Sequence, residues 1–239
     1  MNPKQIKVSV ILPTYNETEN VPLVIKEIEH YVKLPFEIIV VDDNSPDGTA
    51  RTVEKLDKPN VRVIKRTKER GLVTAIQRGI HEAKGEIVVW MDCDLSHPPH
   101  LLPKLLNVII NEGYDIAAAS RYIKGGKDTR TIPRIAYSWA INQFAMLLLT
   151  PKITDYTTGF VAVKKDVFKH INLKGNYAEY CIQFLYEAYK MGFKIKDIPY
   201  ITYDRVLGET KTADSFKTLI GHAWNLGTTI IRLRFRPNK

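Results

Sequence analysis

The 239-residue chain has only two cysteines, Cys93 and Cys181, no low-complexity block and no fixed-period repeat. Each scarcity excludes something. The two cysteines match no metal-ligand spacing and offer no disulfide framework, so a reducing compartment is expected. No segment reaches the roughly 20 apolar residues a bilayer-spanning helix needs. The apolar run from Ile6 to Leu12 is too short for a secretory leader and leads directly into a turn. No Gly-x-Gly-x-x-Gly follows that run, which argues against a dinucleotide-dependent oxidoreductase. What the chain does carry is positive charge, +9 at pH 7, which favours an anionic partner. An acidic lipid surface and a phosphorylated substrate both qualify. Nucleic acid is not expected, because no basic stripe is interleaved with aromatic residues.

The first half of the chain alternates short apolar runs with helical patterns. Lys7 to Leu12, Phe36 to Val41, Val61 to Ile64 and Glu86 to Met91 read as strands. A helix after Thr18, which can cap it, carries Val21, Val24, Ile25 and Ile28 on one face. Further helices are expected from near Thr49, over Leu72 to Ala83, and over Leu101 to Ile110. Strands alternating with helices predict an α/β fold with a mostly parallel central sheet flanked by helices.

After a fifth strand, Tyr114 to Ala119, the regular alternation stops. Lys127 to Thr131 reads as a mobile polar loop. Pro133 to Leu149 reads as an apolar helix, interrupted by Asn142 and Gln143, that is either buried or lies in a membrane interface. A loop over Asp155 to Phe160, a short strand over Val161 to Lys164, a helix over Tyr177 to Met191 and a half-buried strand over Phe193 to Tyr203 follow. Arg205 to Lys211 is a polar loop, and the last helix, from about Asp214 to Ile231, runs into Arg232-Leu-Arg-Phe-Arg236. That basic tail reads either as a solvated end or as an attachment to an anionic membrane surface. The expected organisation is a catalytic domain over 1–212 and an amphipathic helix with a basic tail over 213–239.

The most informative stretch is Met91-Asp92-Cys93-Asp94-Leu95-Ser96-His97-Pro98-Pro99. Two carboxylates one residue apart, just past the carboxyl end of a buried strand, sit where open α/β sheets bind ligands. Two such carboxylates repel unless a cation lies between them, and their hard oxygens suit Mg²⁺ or Mn²⁺. Mg²⁺ commonly takes its remaining ligands from substrate phosphates and water, so a metal–diphosphate site is expected here. Loops at the strand ends place Tyr15, Asp43 and Asp92 along the same rim.

Pro13-Thr-Tyr-Asn-Glu17, Val41-Asp-Asp-Asn-Ser-Pro-Asp-Gly48, Asp92-Cys-Asp94 and Ser120-Arg-Tyr122 occur in the order found in family 2 glycosyltransferases of the GT-A fold. More narrowly, the form of residues 92–99 and Arg205-Val-Leu-Gly-Glu-Thr-Lys211 resembles the dolichyl-phosphate mannose synthases. The likeness covers residues 6 to about 211. It implies an inverting, metal-dependent transfer of mannose from GDP-mannose to a polyprenyl phosphate. The same carrier with glucose from UDP-glucose, a saccharide-hydroxyl acceptor, and a nucleotide-binding module without catalysis are the alternatives. A hydroxyl acceptor calls for a carboxylate base, which Asp155 or Glu179 could supply.

Carried over by position, the resemblance implies a nucleotide-sugar pocket of Pro13, Tyr15, Glu17, Val41, Asp43, Asp92, Cys93, Asp94 and Lys211. Asp92, Asp94 and Ser96 are the implied metal ligands, with Ser96 standing where the subgroup often has Gln. Arg121, Arg134, Ser138 and Arg205 are implied to hold the acceptor phosphate, and Asp94, Arg121 and Arg205 to be catalytic. The implied setting is the cytoplasmic face of a membrane, with peripheral attachment through 133–149, the tail or a small membrane partner subunit.

Overall fold

A computed structural model describes residues 6–203 and 216–236. Seven strands form one sheet: β1 (Val8–Thr14), β2 (Phe36–Asp42), β3 (Val61–Lys65), β4 (Ile87–Trp90), β5 (Ile116–Ser120), β7 (Val161–Lys164) and β8 (Ile195–Pro199). Their order is β3-β2-β1-β4-β7-β5-β8. All pairings are parallel except those of β7, which runs antiparallel to both β4 and β5. The expected mostly parallel α/β sheet is what the chain forms.

The core follows from the two-residue period of a strand. Val8, Val10 and Leu12 of β1, Ile38 and Val40 of β2, and Val89 of β4 pack on one face, under α1 (Asn20–Tyr31) and α4 (Leu102–Ile110). Ile11, Ile39, Val41, Val88 and Trp90 pack on the other, under α3 (Leu72–Glu82) and α6 (Glu179–Lys190). Each such fully buried aliphatic side chain stabilises the fold by about 1.5–3 kcal/mol. Gly79 lets α3 approach β1 closely, since a Cβ there would collide with the side chain of Ile11. α2 (Thr49–Lys55) closes the β2–β3 connection.

Several local expectations are corrected. Thr18 does not cap α1: its hydroxyl lies 2.8 Å from that of Thr52, and the Glu17 carbonyl accepts the first helical N–H groups instead. Lys127 to Thr131 is not loop throughout. Lys127–Asp128 forms β6, paired in parallel with β9 (Ile201–Thr202), and Asp128 is buried between two arginines. The tail is not frayed, although Arg232, Arg234, Phe235 and Arg236 are exposed. α7 (Phe216–Phe235) stays helical to Phe235, burying Leu226, Ile230 and Leu233, and Arg236 Nη1 donates to Glu187 Oε1 at 3.0 Å. α5 (Ile132–Leu148) packs against α7, and Asn142 sits fully buried on its inner face. Among the described residues, no helix is long and apolar enough to cross a membrane. The expected domain boundary near 212, Arg205 and Lys211 lie outside the described residues.

Asp197 on the edge strand β8 makes a measurable prediction. Thr154 donates to its Oδ2 through both N–H and hydroxyl, while Oδ1 is buried with no hydrogen-bond partner among the described residues. Burial raises its pKa from 3.8 to about 6. Between those values the folded chain holds a proton the unfolded chain has released, so this group's contribution falls as pH rises from 4 to 6 and is level above. The loss is about 2–3 kcal/mol at most. The stability gap between Asp197→Asn and wild type, from denaturant unfolding, is therefore expected to shift in the variant's favour across pH 4–6 and then plateau. A gap independent of pH would refute this.

Candidate active site

The chain reverses its course across the sheet between β1 and β4, and the crevice beyond their carboxyl ends is a predicted ligand site for open α/β sheets. A cavity of about 390 Å³ opens there. Pro13, Tyr15, Glu17, Asp43, Asp92, Cys93, Asp94, Ser96, Arg121 and Arg134, all singled out from the sequence, line it together. Among the described residues, two of those assigned do not. Val41 is wholly buried on the α3 face of the sheet and does not line the cavity. Ser138 sits behind the wall, with its hydroxyl 3.3 Å from that of Thr157, which does line the cavity.

At one end of the cavity, acidic residues divide by task. Asp42 and Asp47 tie the strand-end loops together: Asp42 accepts from the Ser45 N–H at 3.0 Å, and Asp47 from the N–H groups of Thr18 at 3.0 Å and Thr49 at 2.9 Å. Asp43 faces the cavity, held by Arg66 Nε at 2.6 Å and the Gly71 N–H at 2.8 Å. Arg66 itself is buried and no sequence motif marks it. The guanidinium of Arg70 lies 5.3 Å from the ring centre of Tyr15, a cation–π contact at the rim.

In the middle stand the two carboxylates. Asp94 Oδ1 accepts from the Ser96 N–H at 3.0 Å, and Leu95 between them adopts a left-handed φ of 64°. That conformation costs a bulky residue about 1–2 kcal/mol, so the loop around it is firmly set. The Asp92 N–H donates to His97 Nδ1 at 3.0 Å, which places the imidazole proton on Nε2, 3.9 Å from Asp92 Oδ2. His97 is clamped against Phe160, with ring centres 5.3 Å apart and planes at 17°. Gly159 completes this seat: a Cβ there would stand 3.2 Å from His97 Cε1. Among the described residues, no three His, Cys, Asp or Glu side chains converge as a self-contained metal centre. Two carboxylates backed by a hydroxyl are instead the hard-oxygen set that fits a cation sharing its ligands with a diphosphate.

The far end is basic. Arg121, buried, gives Asp155 a two-pronged pair, Nε to Oδ2 and Nη2 to Oδ1, both at 2.7 Å. It also donates to Thr157 Oγ1 at 2.8 Å and to Asp128 Oδ2 at 3.3 Å. Burial by itself would depress this guanidinium, but Asp155 beside it raises its pKa well above the ordinary value. Four of its five N–H groups are thus engaged, leaving little to offer an acceptor phosphate. Thr157 is also reached by Asn142 Nδ2 at 3.0 Å, and Asn142 Oδ1 accepts the Tyr156 N–H at 2.6 Å. The polar interruption of the apolar helix is therefore the joint that fastens α5 to the 155–158 loop.

Residues 9–171 match the family model for glycosyl transferase family 2. The chain belongs to that family. Among curated proteins, this family 2 chain is 40% identical over 214 residues to a dolichol-phosphate mannosyltransferase of Pyrococcus furiosus, aligning 86% of the chain and 59% of that protein. It is 36% identical over 217 residues to a polyprenol monophosphomannose synthase of Mycolicibacterium smegmatis, aligning 86% of the chain and 81% of that protein. The chain thus spans less than two thirds of the first relative's length. Among solved structures, glucosyl-3-phosphoglycerate synthase of Mycobacterium tuberculosis, crystallised with Mn²⁺, UDP and glucosyl-3-phosphoglycerate, has the same GT-A fold. The TM-score is 0.74 at 19% identity, over 98% of this chain and 82% of that one.

Within the family 2 chain, sequence reasoning missed Arg66, His97, Arg130 and Thr157. His97 had a signal, the quoted Leu-x-His-Pro-Pro run. The others are set only by tertiary pairing.

Proposed function

We propose that the chain transfers mannose from GDP-mannose to a polyprenyl phosphate, with inversion, at the cytoplasmic face of a membrane. The names of the two curated relatives support the sugar and the lipid class. The observation that carries the acceptor chemistry is that, among the described residues, neither carboxylate considered as a base is placed to act as one. Asp155, the first candidate base, has both oxygens engaged by Arg121. Glu179, the second, lines a different cleft with Lys174 and Arg232. A phosphate monoester has its second pKa near 6, roughly, so at neutral pH it attacks as a dianion and needs no base. Positioning and charge neutralisation then carry the rate.

Mg²⁺ or Mn²⁺ at Asp92 and Asp94, with Ser96 near, would act as a Lewis acid on the departing diphosphate. Tyr15, Glu17 and Asp43 hold the nucleoside end and Arg134 the acceptor phosphate; Arg205 for the acceptor and Lys211 for the donor are assigned by the resemblance alone and lie outside the described residues. Peripheral attachment is supported by large apolar side chains left outside on the paired helices, Trp139 and Leu147 on α5 and Trp224 and Phe235 on α7.

The test supplies GDP-mannose, GDP-glucose, UDP-glucose and UDP-GlcNAc separately, each with dolichyl phosphate and Mg²⁺ or Mn²⁺. Chloroform-extractable label is expected from GDP-mannose and is expected to vanish in EDTA. Label from UDP-glucose alone would replace the sugar, and no lipid product from any donor would overturn the acceptor.

A further inference from the structure

Arg130 carries a role that no motif assigns. It lies just before α5, on the same cavity as Arg134, and is one of the described basic side chains at the acceptor end. Its Nε donates to Asp128 Oδ1 at 2.9 Å and its Nη2 to Asp128 Oδ2 at 2.6 Å. This two-pronged pair uses one edge of the guanidinium. The two N–H groups of Nη1 have no hydrogen-bond partner among the described residues.

The contrast with Arg121 decides the assignment. Arg121 lines the cavity with its side chain only 4% exposed and four N–H groups engaged, whereas Arg130 is about a quarter exposed there. Asp128, buried and shared by both arginines, has its carboxyl held below the usual range despite burial, through the bonds and charge of Arg130 and the charge of Arg121. It stays ionised and fixes the plane of Arg130. β6, anchored on β9, fixes Asp128 in turn. A planar fork held rigid on one edge, on a residue that lines the cavity, suits recognition of an anionic oxygen. The N-terminus of the 17-residue helix α5, two residues on, adds a favourable field for the same charge.

We infer that Arg130, oriented by Asp128, is a phosphate-binding residue of the acceptor subsite, acting beside Arg134, while Arg121 is the buried strut that braces Asp128. This rests on the acceptor class proposed above.

The experiment uses the full chain in detergent, with wild type, Arg130→Gln and Arg130→Lys. Binding of farnesyl phosphate is followed by calorimetry without donor, with farnesol as control, and GDP-mannose binding and thermal melting are measured in parallel. Arg130→Gln is expected to weaken farnesyl phosphate at least tenfold while GDP-mannose affinity stays within twofold. Arg130→Lys is expected to recover part of the loss, and the acceptor KM is expected to rise in the same order. Unchanged farnesyl phosphate affinity, or equal losses of donor and acceptor affinity, would overturn the inference. Failure of the underlying reading looks different: wild type itself would bind farnesyl phosphate no better than farnesol and make no lipid product.

Discussion

Replacing Asp94 with Asn is expected to lower transfer by at least about 10³-fold, the scale of the several kcal/mol a bound cation supplies to a departing diphosphate. The substitution is informative because it is nearly isosteric. Asp94 Oδ1 accepts the Ser96 N–H at 3.0 Å, and an amide oxygen can keep that bond and the left-handed turn at Leu95. What is lost is charge. In wild type, Mn²⁺ should raise GDP-mannose affinity; in Asp94→Asn that increment should disappear, leaving affinity in EDTA within about twofold of wild type. If transfer is lost while Mn²⁺ still strengthens donor binding, Asp94 acts on the reaction by some route other than the cation.

The half of the fold that holds this loop was legible in the sequence for a physical reason. Strands buried on both faces are continuous apolar runs, and their carboxyl ends carry the polar loops, so β1 to β4 and the rim of Tyr15, Asp43 and Asp92 follow from pattern alone. The second half depends on pairings between distant segments. β6 is two residues long, Lys127 and Asp128, with no strand propensity; Ile201 and Thr202, more than 70 positions away, make it a strand. Arg66 and Arg130 are ordinary surface residues by sequence and become site residues only because Asp43 and Asp128 meet them. The tail at 232–236 alternates basic and apolar residues, which suits a surface segment, yet Leu233 finds a place in the core. Asp155 is the sharpest case. A carboxylate in a loop beside a predicted acceptor site reads as a base, and nothing local reveals that Arg121, 34 residues earlier, occupies both its oxygens.

That pairing makes the second large prediction. The Arg121 and Asp155 side chains are 4% and 0% exposed, so removing one partner strands a charge that water reaches poorly. Asp155→Ala is expected to cost about 3–5 kcal/mol, which for a chain of this size lowers the melting temperature by roughly 10 °C. Asp128 remains beside Arg121 at 3.3 Å and limits the damage without replacing the two-pronged bond. Removing both charges in Arg121→Leu/Asp155→Leu should cost less than the sum of the single changes, since each single change leaves the other ion uncompensated. A catalytic base behaves oppositely: its loss would abolish transfer with melting unchanged and no coupling to Arg121. Calorimetric melting of the four proteins in the cycle separates these outcomes. A stable, inactive Asp155→Ala would return the saccharide-hydroxyl acceptor to contention, because the base it requires would then be present.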